Sequence, residues 1–320
     1  MPTLILTRKN VDALLVMRDV IAAVEQGFRD WTEGRGAMPP KSYLLVDSGD
    51  FRAMPAALPG AAGVKWVNVH PGNPPKGLPT VMAALVLNDP ATGYPLAVMD
   101  ATDLTAYRTG AAGAIAAKYL ARKNSRTLGL VGAGRQAYTQ ILAHAERFKF
   151  TEIRVYDIFP QAVERLVKSL PAYPLRSASL LEAVQSDILC TVTTAREPVV
   201  KKAWVLPGTH INAIGADAEG KEELEPDVLT GATVVVDDMR QASKAGEINV
   251  PISKGLYSVE EVYANLGEII TRRKAGRTDD RQVTVFDSTG IAIEDIAVAK
   301  LLYERAKAQG LGLSVNLVEG

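Results

Sequence analysis

Cysteine is almost absent. Cys190 is the only one in 320 residues, so an internal disulfide is excluded and no Cys-rich metal centre can form. Charge of one sign is also missing. The 36 basic and 36 acidic side chains cancel, and a chain without excess positive charge has no electrostatic footprint for nucleic acid or an anionic membrane. No apolar run reaches the roughly 18 residues of a membrane span. The apolar start, Met1 to Leu6, meets Thr7-Arg8-Lys9 at once, too early for a signal peptide, so a cytoplasmic location is expected. Histidine occurs three times, and its spacing from Cys190 and the carboxylates suggests no metal site. A Gly-x-Ser-x-Gly nucleophile elbow is lacking. His144 reads as an ordinary residue of the helix after the glycine turn, His210 as a hydrogen-bonded core histidine, and Cys190 as a small core residue in a buried strand.

What is present is centred on Arg126–Ala137. Leu128 to Val131 is a short apolar run that reads as a buried parallel strand, and it feeds Gly132-x-Gly134-x-x-Ala137 and then helix-forming sequence. Strand, glycine turn and helix in that order are what a dinucleotide-binding turn requires. Gly132 permits the turn, Gly134 lets the backbone approach a pyrophosphate, and Ala137 lets the helix lie close to the strand. The helix N-terminus then offers unpaired N–H groups to the anion. The next strand, Glu152–Tyr156, ends in Asp157, 25 positions after Gly132. A carboxylate there binds both ribose hydroxyls and repels a 2′-phosphate, so the expected cofactor is NAD rather than NADP.

From residue 127 onward, strands expected at 127–131, 152–156, 187–192, 210–214, 233–237 and 283–286 alternate with helices at 135–147, 160–169, 179–185, 258–272 and 293–308. This is the pattern of a doubly wound α/β sheet, a Rossmann domain. Before it, residues 42–100 carry strands separated by turn signals, which read as an antiparallel meander, preceded by one amphipathic helix through Val11 and Phe28. A small-residue helix, Leu104 to Leu120, leads into the glycine turn. The expected organisation is α/β: a discontinuous α+β domain of residues 1–119 and 293–320 with an antiparallel sheet, and a Rossmann domain of residues 120–292. Ligands bind at the carboxyl ends of such strands. The cofactor set expected there is Gly132, Gly134, Arg135, Gln136, Asp157, Ile158, Thr193, Ile214, Gly215, Ala216, Asp217 and Ser288.

Three cations sit in apolar surroundings: Arg52 after Phe51, Lys65 between Val64 and Trp66, and Arg108 after Tyr107. Charges are seldom buried without a partner. That partner is either a substrate carboxylate, which arginine binds bidentately, or a carboxylate of the protein itself.

With these residues in view the chain resembles the ornithine cyclodeaminase/mu-crystallin family, most closely its archaeal-type alanine dehydrogenase branch. The carriers are Met38-Pro39-Pro40-Lys41, Arg52-Ala53-Met54-Pro55, Lys65-Trp66-Val67-Asn68, Arg108-Thr109-Gly110-Ala111-Ala112, the glycine turn, His210 to Asp217, Gly246-Glu247-Ile248 and Phe286-Asp287-Ser288-Thr289-Gly290. The resemblance implies a homodimer formed through residues 1–118 and the terminal helix, whose apolar stripe includes Ile296, Leu301 and Leu302. It implies Lys65 as catalytic acid/base and Asp217 as the residue that activates water. Arg108 would contact the substrate carboxylate or the cofactor phosphate, with Lys41 and Arg52 lining the substrate pocket. In the cyclodeaminase branch an arginine stands at Lys41 and a glutamate at Arg52, so this chain favours a short uncharged side chain over ornithine. The activity implied is NAD-dependent, reversible oxidative deamination of L-alanine. Cyclodeamination or cyclic-imine reduction, and a crystallin-like dinucleotide-binding role, are the alternatives.

Overall fold

In the computed structural model, which describes residues 2–318, the chain divides into two units, Met1–Arg108 with Ile291–Gly320, and Thr109–Gly290. The first begins with β1 (Thr3–Leu6), α1 (Arg8–Leu14) and α2 (Met17–Thr32). The single helix expected here is two, because Leu15 and Val16 are both extended. Each piece buries its own stripe, Val11 and Leu14 in one and Val20, Ile21, Val24 and Phe28 in the other. A capping box between Thr7 and Asn10 starts α1.

The meander follows as β2 (Ser42–Val46), β3 (Gly49–Leu58), β4 (Ala61–Val69), β5 (Val81–Asn88) and β6 (Pro95–Asp100), each antiparallel to the next. Period-two alternation sets its faces. Arg52, Met54, Ala56 and Leu58 of β3 point inward with Lys65 and Val67 of β4. All of β2 is exposed, including Leu45 at 77%. β1 joins the free side of β6 in parallel, so the sheet is mixed rather than wholly antiparallel. α3 (Thr102–Leu120) contains the division between the units.

The second unit is an eight-stranded, all-parallel sheet. It is built from β7 (Thr127–Val131), α4 (Arg135–Ala145), β8 (Glu152–Tyr156), α5 (Pro160–Ser169), β9 (Leu175–Ser177), α6 (Leu180–Val184) and β10 (Ile188–Thr191). β11 (His210–Ala213), α7 (Pro226–Thr230), β12 (Thr233–Val236), α8 (Met239–Ala245), α9 (Asn249–Ser253), β13 (Ala264–Asn265), α10 (Leu266–Ile270) and β14 (Thr284–Asp287) complete it. The order is β13-β12-β14-β11-β10-β7-β8-β9. Chain progress therefore reverses between β7 and β10, the switch point at which such sheets bind ligands. A long helix was expected over 258–272. Instead Asn265 and Glu268 form a capping box that starts α10 only after the short β13. His144 and His210 are buried in a polar ladder through Asn212, whose Nδ2 lies 3.0 Å from His144 Nε2 and whose Oδ1 lies 3.0 Å from His210 Nε2. Burial pushes the two imidazoles down to about 4 and about 3, so neither titrates as a base near neutrality. Cys190 is buried and its thiol is pushed up to about 12.

The chain then returns to the first unit through α11 (Ala292–Gln309) and β15 (Leu313–Val315). β15 pairs with β1 and completes the order β15-β1-β6-β5-β4-β3-β2. α11 packs on α2, β3, β4 and β5. Ile296 and Leu302 are fully buried there, so the stripe expected to form a subunit face is core of its own unit. Among the described residues no helix is long and apolar enough to cross a membrane. Ile296→Ala should lower the unfolding free energy by about 2–5 kcal/mol, read from urea denaturation. A change below about 1 kcal/mol would mean that this stripe is not core.

Candidate active site

The inward face of the meander holds one group of the candidate residues. Met54 pairs with Lys65 across β3 and β4, and Leu85 of β5 pairs with Lys65 on the other side. Residues on one rung share a face, so the ammonium stem is walled by apolar side chains. Lys65 is fully buried, and its Nζ donates to Asp295 Oδ1 at 2.7 Å. Arg108 Nε donates to the same oxygen at 3.0 Å, and its Nη1 donates to Glu294 Oε2 at 2.9 Å. Glu294 and Asp295 are both fully buried in the first turn of α11, where the helix dipole favours negative charge. Asp295 Oδ2 is buried without a hydrogen-bond partner.

Arg52 lies two rungs from Lys65, on the same face. Its Nε donates to Asp50 Oδ1 at 2.7 Å and its Nη2 to Asp50 Oδ2 at 3.2 Å, a bidentate pairing within the protein. Its guanidinium stacks 5.4 Å from the Tyr43 ring, and Lys41 Nζ lies 5.9 Å from the same ring. Burial pushes the Lys65 ammonium down to about 7. Arg108 and Lys41 push in the same direction, and Asp295 opposes them. The structure thus brings Lys41, Arg52, Lys65 and Arg108 into one unit, each beside a protein carboxylate or an aromatic ring.

A second group lies on the carboxyl edge of the parallel sheet. Gly132 has φ +105°, and a Cβ there would stand 2.9 Å from Val192 O, so the turn requires glycine. A Cβ on Gly134 would meet nothing within 4 Å. The protein leaves that space open, as a backbone that must approach a ligand requires. Gly134 is the N-cap of α4 and offers no side-chain cap, so the first N–H groups of the helix remain for an anion. Asp157 Oδ2 accepts from Ala133 N–H at 2.7 Å and its Oδ1 from Phe159 N–H at 2.9 Å. Ile158 beside it is 73% exposed. Arg135 is exposed and stacks 4.9 Å from the Tyr138 ring, with half-buried Gln136 next to it. Ser288 Oγ is buried with no partner. These features fit a dinucleotide: an open glycine turn, an uncapped helix start, a carboxylate at the end of the next strand and an orphaned hydroxyl on one sheet edge.

Thr193 and Gly215 follow β10 and β11 and are both held by Glu223. Ile214 and Ala216 are buried. Asp217 lies beyond the end of β11, and Lys221 pairs with its carboxylate. Asp237 is fully buried on this edge, and so are three further carboxyls, Glu223, Glu247 and Asp287. Burial raises Glu223, Glu247 and Asp287, Asp287 to about 8 and Glu247 well above the usual range. Glu223, Glu247, Glu294 and Asp295 were not among the residues expected from sequence. For Glu294-Asp295 the available signal was an acidic pair in the first turn of a strongly apolar helix. Among the described residues no group of three His, Cys, Asp or Glu side chains is placed to hold a metal ion.

A family model described as the ornithine cyclodeaminase/mu-crystallin family matches residues 1–310. The chain belongs to the ornithine cyclodeaminase/mu-crystallin family. Within it, the chain is 53% identical over 319 residues to an alanine dehydrogenase of Archaeoglobus fulgidus, covering 99% of each. Among solved structures it is similar to an archaeal alanine dehydrogenase dimer with bound NAD, at 52% identity and a TM-score of 0.97 over 99% of this chain and all of that one. It is also similar to Δ1-pyrroline-2-carboxylate reductase of Thermococcus litoralis in complex with NADH and L-proline. That match has 40% identity and a TM-score of 0.94 over 98% of this chain and all of that one. Family membership places the mixed sheet and the parallel sheet in one established α/β architecture.

The buried lysine has a thermodynamic signature. Its folded value of about 7 lies below the ordinary 10.5, so between these pH values the unfolded chain binds the extra proton. Unfolding free energy therefore rises with pH through that window, and the penalty is complete below about pH 7. Lys65→Met should flatten the rise, measured by urea unfolding at pH 7 and pH 10. An unchanged slope would place the titration elsewhere.

Proposed function

We propose that the chain catalyses the NAD-dependent, reversible oxidative deamination of L-alanine to pyruvate and ammonia. The observation that carries this reading is Lys65: a buried amine poised near neutrality, held by Asp295 and flanked by Arg108 and Lys41, in a chain 53% identical to an alanine dehydrogenase. NAD, when bound, supplies the acceptor for the α-hydride. It would be held by Gly132, Gly134, Arg135, Gln136, Asp157, Ile158, Thr193, Ile214, Gly215, Ala216, Asp217 and Ser288. Neutral Lys65 takes a proton from the substrate ammonium, since the amine must hold a lone pair before its α-hydrogen can leave as hydride. Arg108, Lys41 and Arg52 supply the positive field for the substrate carboxylate. Asp217 orients the water that adds to the imine carbon. The proton on Lys65 then assists departure of ammonia, and pyruvate remains.

A homodimer and a cytoplasmic location belong to the same reading. The exposed apolar strand β2, with Tyr43, Leu44, Leu45 and Val46, together with exposed Trp66, suits a subunit face better than the buried stripe of α11. The solved archaeal relative is a dimer. The lone buried Cys190 suits a reducing compartment.

Reduction of a cyclic imine such as Δ1-pyrroline-2-carboxylate is the second reading. One observation favours it: the chain is 40% identical to a Δ1-pyrroline-2-carboxylate reductase, whereas Asp50, by neutralising Arg52 in place, weakens only the charge argument against ornithine. Kinetics at the NADH absorbance decide between them. Alanine-dependent NADH formation supports the first reading. NADH consumption with Δ1-pyrroline-2-carboxylate and no turnover of alanine supports the second, and proline formed from ornithine without net NADH supports cyclodeamination.

Lys65→Met should cut kcat by roughly 100-fold or more while NADH binding persists. Lys65→Arg should not restore it, because a guanidinium stays protonated. Near-normal kcat in Lys65→Met would move the base to another residue, with Asp217 next in line. The carboxylate of Asp157 predicts a second outcome, higher kcat/KM with NAD than with NADP. Asp157→Ser should narrow the ratio, and equal efficiency in the parent enzyme would sink the ribose assignment.

A further inference from the structure

Glu223 and the Gly246-Glu247-Ile248 motif have no part in the reaction as described, yet they are built into the ligand edge of the second unit. Glu223 Oε1 accepts from Thr193 N–H and from Thr193 Oγ1–H, both at 2.7 Å, and its Oε2 accepts from Gly215 N–H at 2.9 Å. Both oxygens of one carboxylate thus serve as acceptors, one for the loop after β10 and one for the loop after β11. Behind it, Glu247 Oε1 accepts from the N–H groups of Glu223 at 2.9 Å and Leu224 at 2.6 Å. Ile248 N–H donates to Asp287 Oδ2 at 3.2 Å, and Asp287 immediately precedes Ser288. One connected set of carboxyls therefore fixes the loops that follow β10, β11 and β14.

Burying carboxyls costs several kcal/mol each unless donors satisfy them, and apolar side chains would join the same elements without that cost. What apolar side chains cannot do is accept main-chain N–H bonds at a crowded loop junction. The junction is crowded: a Cβ on Gly215 would stand 2.2 Å from Thr193 O and 2.6 Å from Glu223 Oε1. The two loops meet backbone to backbone, and Glu223 reaches between them with acceptors on both sides.

We propose that Glu223 is a positioning residue for the cofactor, setting Thr193 and the segment Ile214–Asp217 in the geometry that takes the nicotinamide half of NAD. The proposal rests on reading this edge as the dinucleotide site. Glutamine tests it by chemistry rather than size. Either orientation of a Glu223→Gln amide turns its NH2 toward an N–H donor, so one loop must move. Glu247 is the control, because its Oε2 has no hydrogen-bond partner and Glu247→Gln keeps the acceptor that is used.

The experiment is titration of the full-length protein with NADH by fluorescence, alongside thermal melting and steady-state kinetics. Glu223→Gln should weaken NADH binding about tenfold or more and raise the KM for NAD, with the KM for alanine at saturating NAD unchanged. Glu247→Gln should bind NADH like the parent. Equal NADH affinity in Glu223→Gln and the parent, or equal weakening in both glutamine variants in step with their melting temperatures, would overturn the proposal by showing support of the fold alone. Should Glu223→Gln fail to fold, Thr193→Ala and Thr193→Ser decide. Weaker NADH binding by the alanine variant with parent-like binding by serine supports the linkage, and parent-like binding by both overturns it. Failure of the parent protein to bind NADH would overturn the dinucleotide reading itself, and with it the proposal.

Discussion

The ion pair between Lys65 and Asp295 joins the middle of the first sheet to the first turn of the last long helix, across 230 positions of chain. Both groups are fully buried, and the desolvation of two charges sets a demanding condition on everything around them. The sheet must present its inward face at β4, α11 must return after the entire parallel unit has been made, and its N-terminus must point so that Glu294 and Asp295 lie in the first turn. Arg108 enters the same cluster through Asp295 and Glu294. An apolar pair of equal volume would hold β4 against α11 at least as firmly, so cohesion alone does not account for these charges. What they provide is an amine whose proton affinity is set by its surroundings.

The second unit solves a different problem with the same residue type. Its buried carboxyls, Glu223, Glu247 and Asp287, accept mainly from main-chain N–H groups at strand ends. Here they terminate loops that side-chain packing would leave with unsatisfied donors. The sheet edge can then stay open at Gly134 while the loops beside it remain fixed, which is the combination a ligand-binding edge needs.

The parts of this arrangement legible in sequence are those encoded over short stretches of chain. The glycine turn, the strand ending at Asp157 and the alternation of strands with helices each lie within a few tens of residues, and the family motifs cover most of the rest. Lys65, Arg52 and Arg108 stood out because charge interrupts apolar sequence. Their partners did not, since nothing local ties Lys65 to Asp295. The apolar stripe of α11 suggested a surface between subunits because sequence reports that a face is buried, but not against what. The break at Leu15–Val16 and the short β13 were missed for a related reason. Apolar periodicity continues through both places, and only backbone geometry and the Asn265 cap reveal where the helix stops and starts.

Under the proposed deamination, poise near neutrality at Lys65 has a consequence for a reversible reaction. Oxidation needs a base that takes a proton from an ammonium, and the reverse needs an acid that returns one, so a single group serves both directions best when its affinity lies close to the working pH. Burial lowers the proton affinity of Lys65, and Arg108 and Lys41 push it further the same way. Asp295 is the counterweight. Because Asp295 Oδ1 also receives Arg108, the cation that disfavours protonation and the anion that favours it are fixed to one another. A shift of α11 would therefore move both influences together, and the balance on Lys65 would change less than if either acted from a separate element.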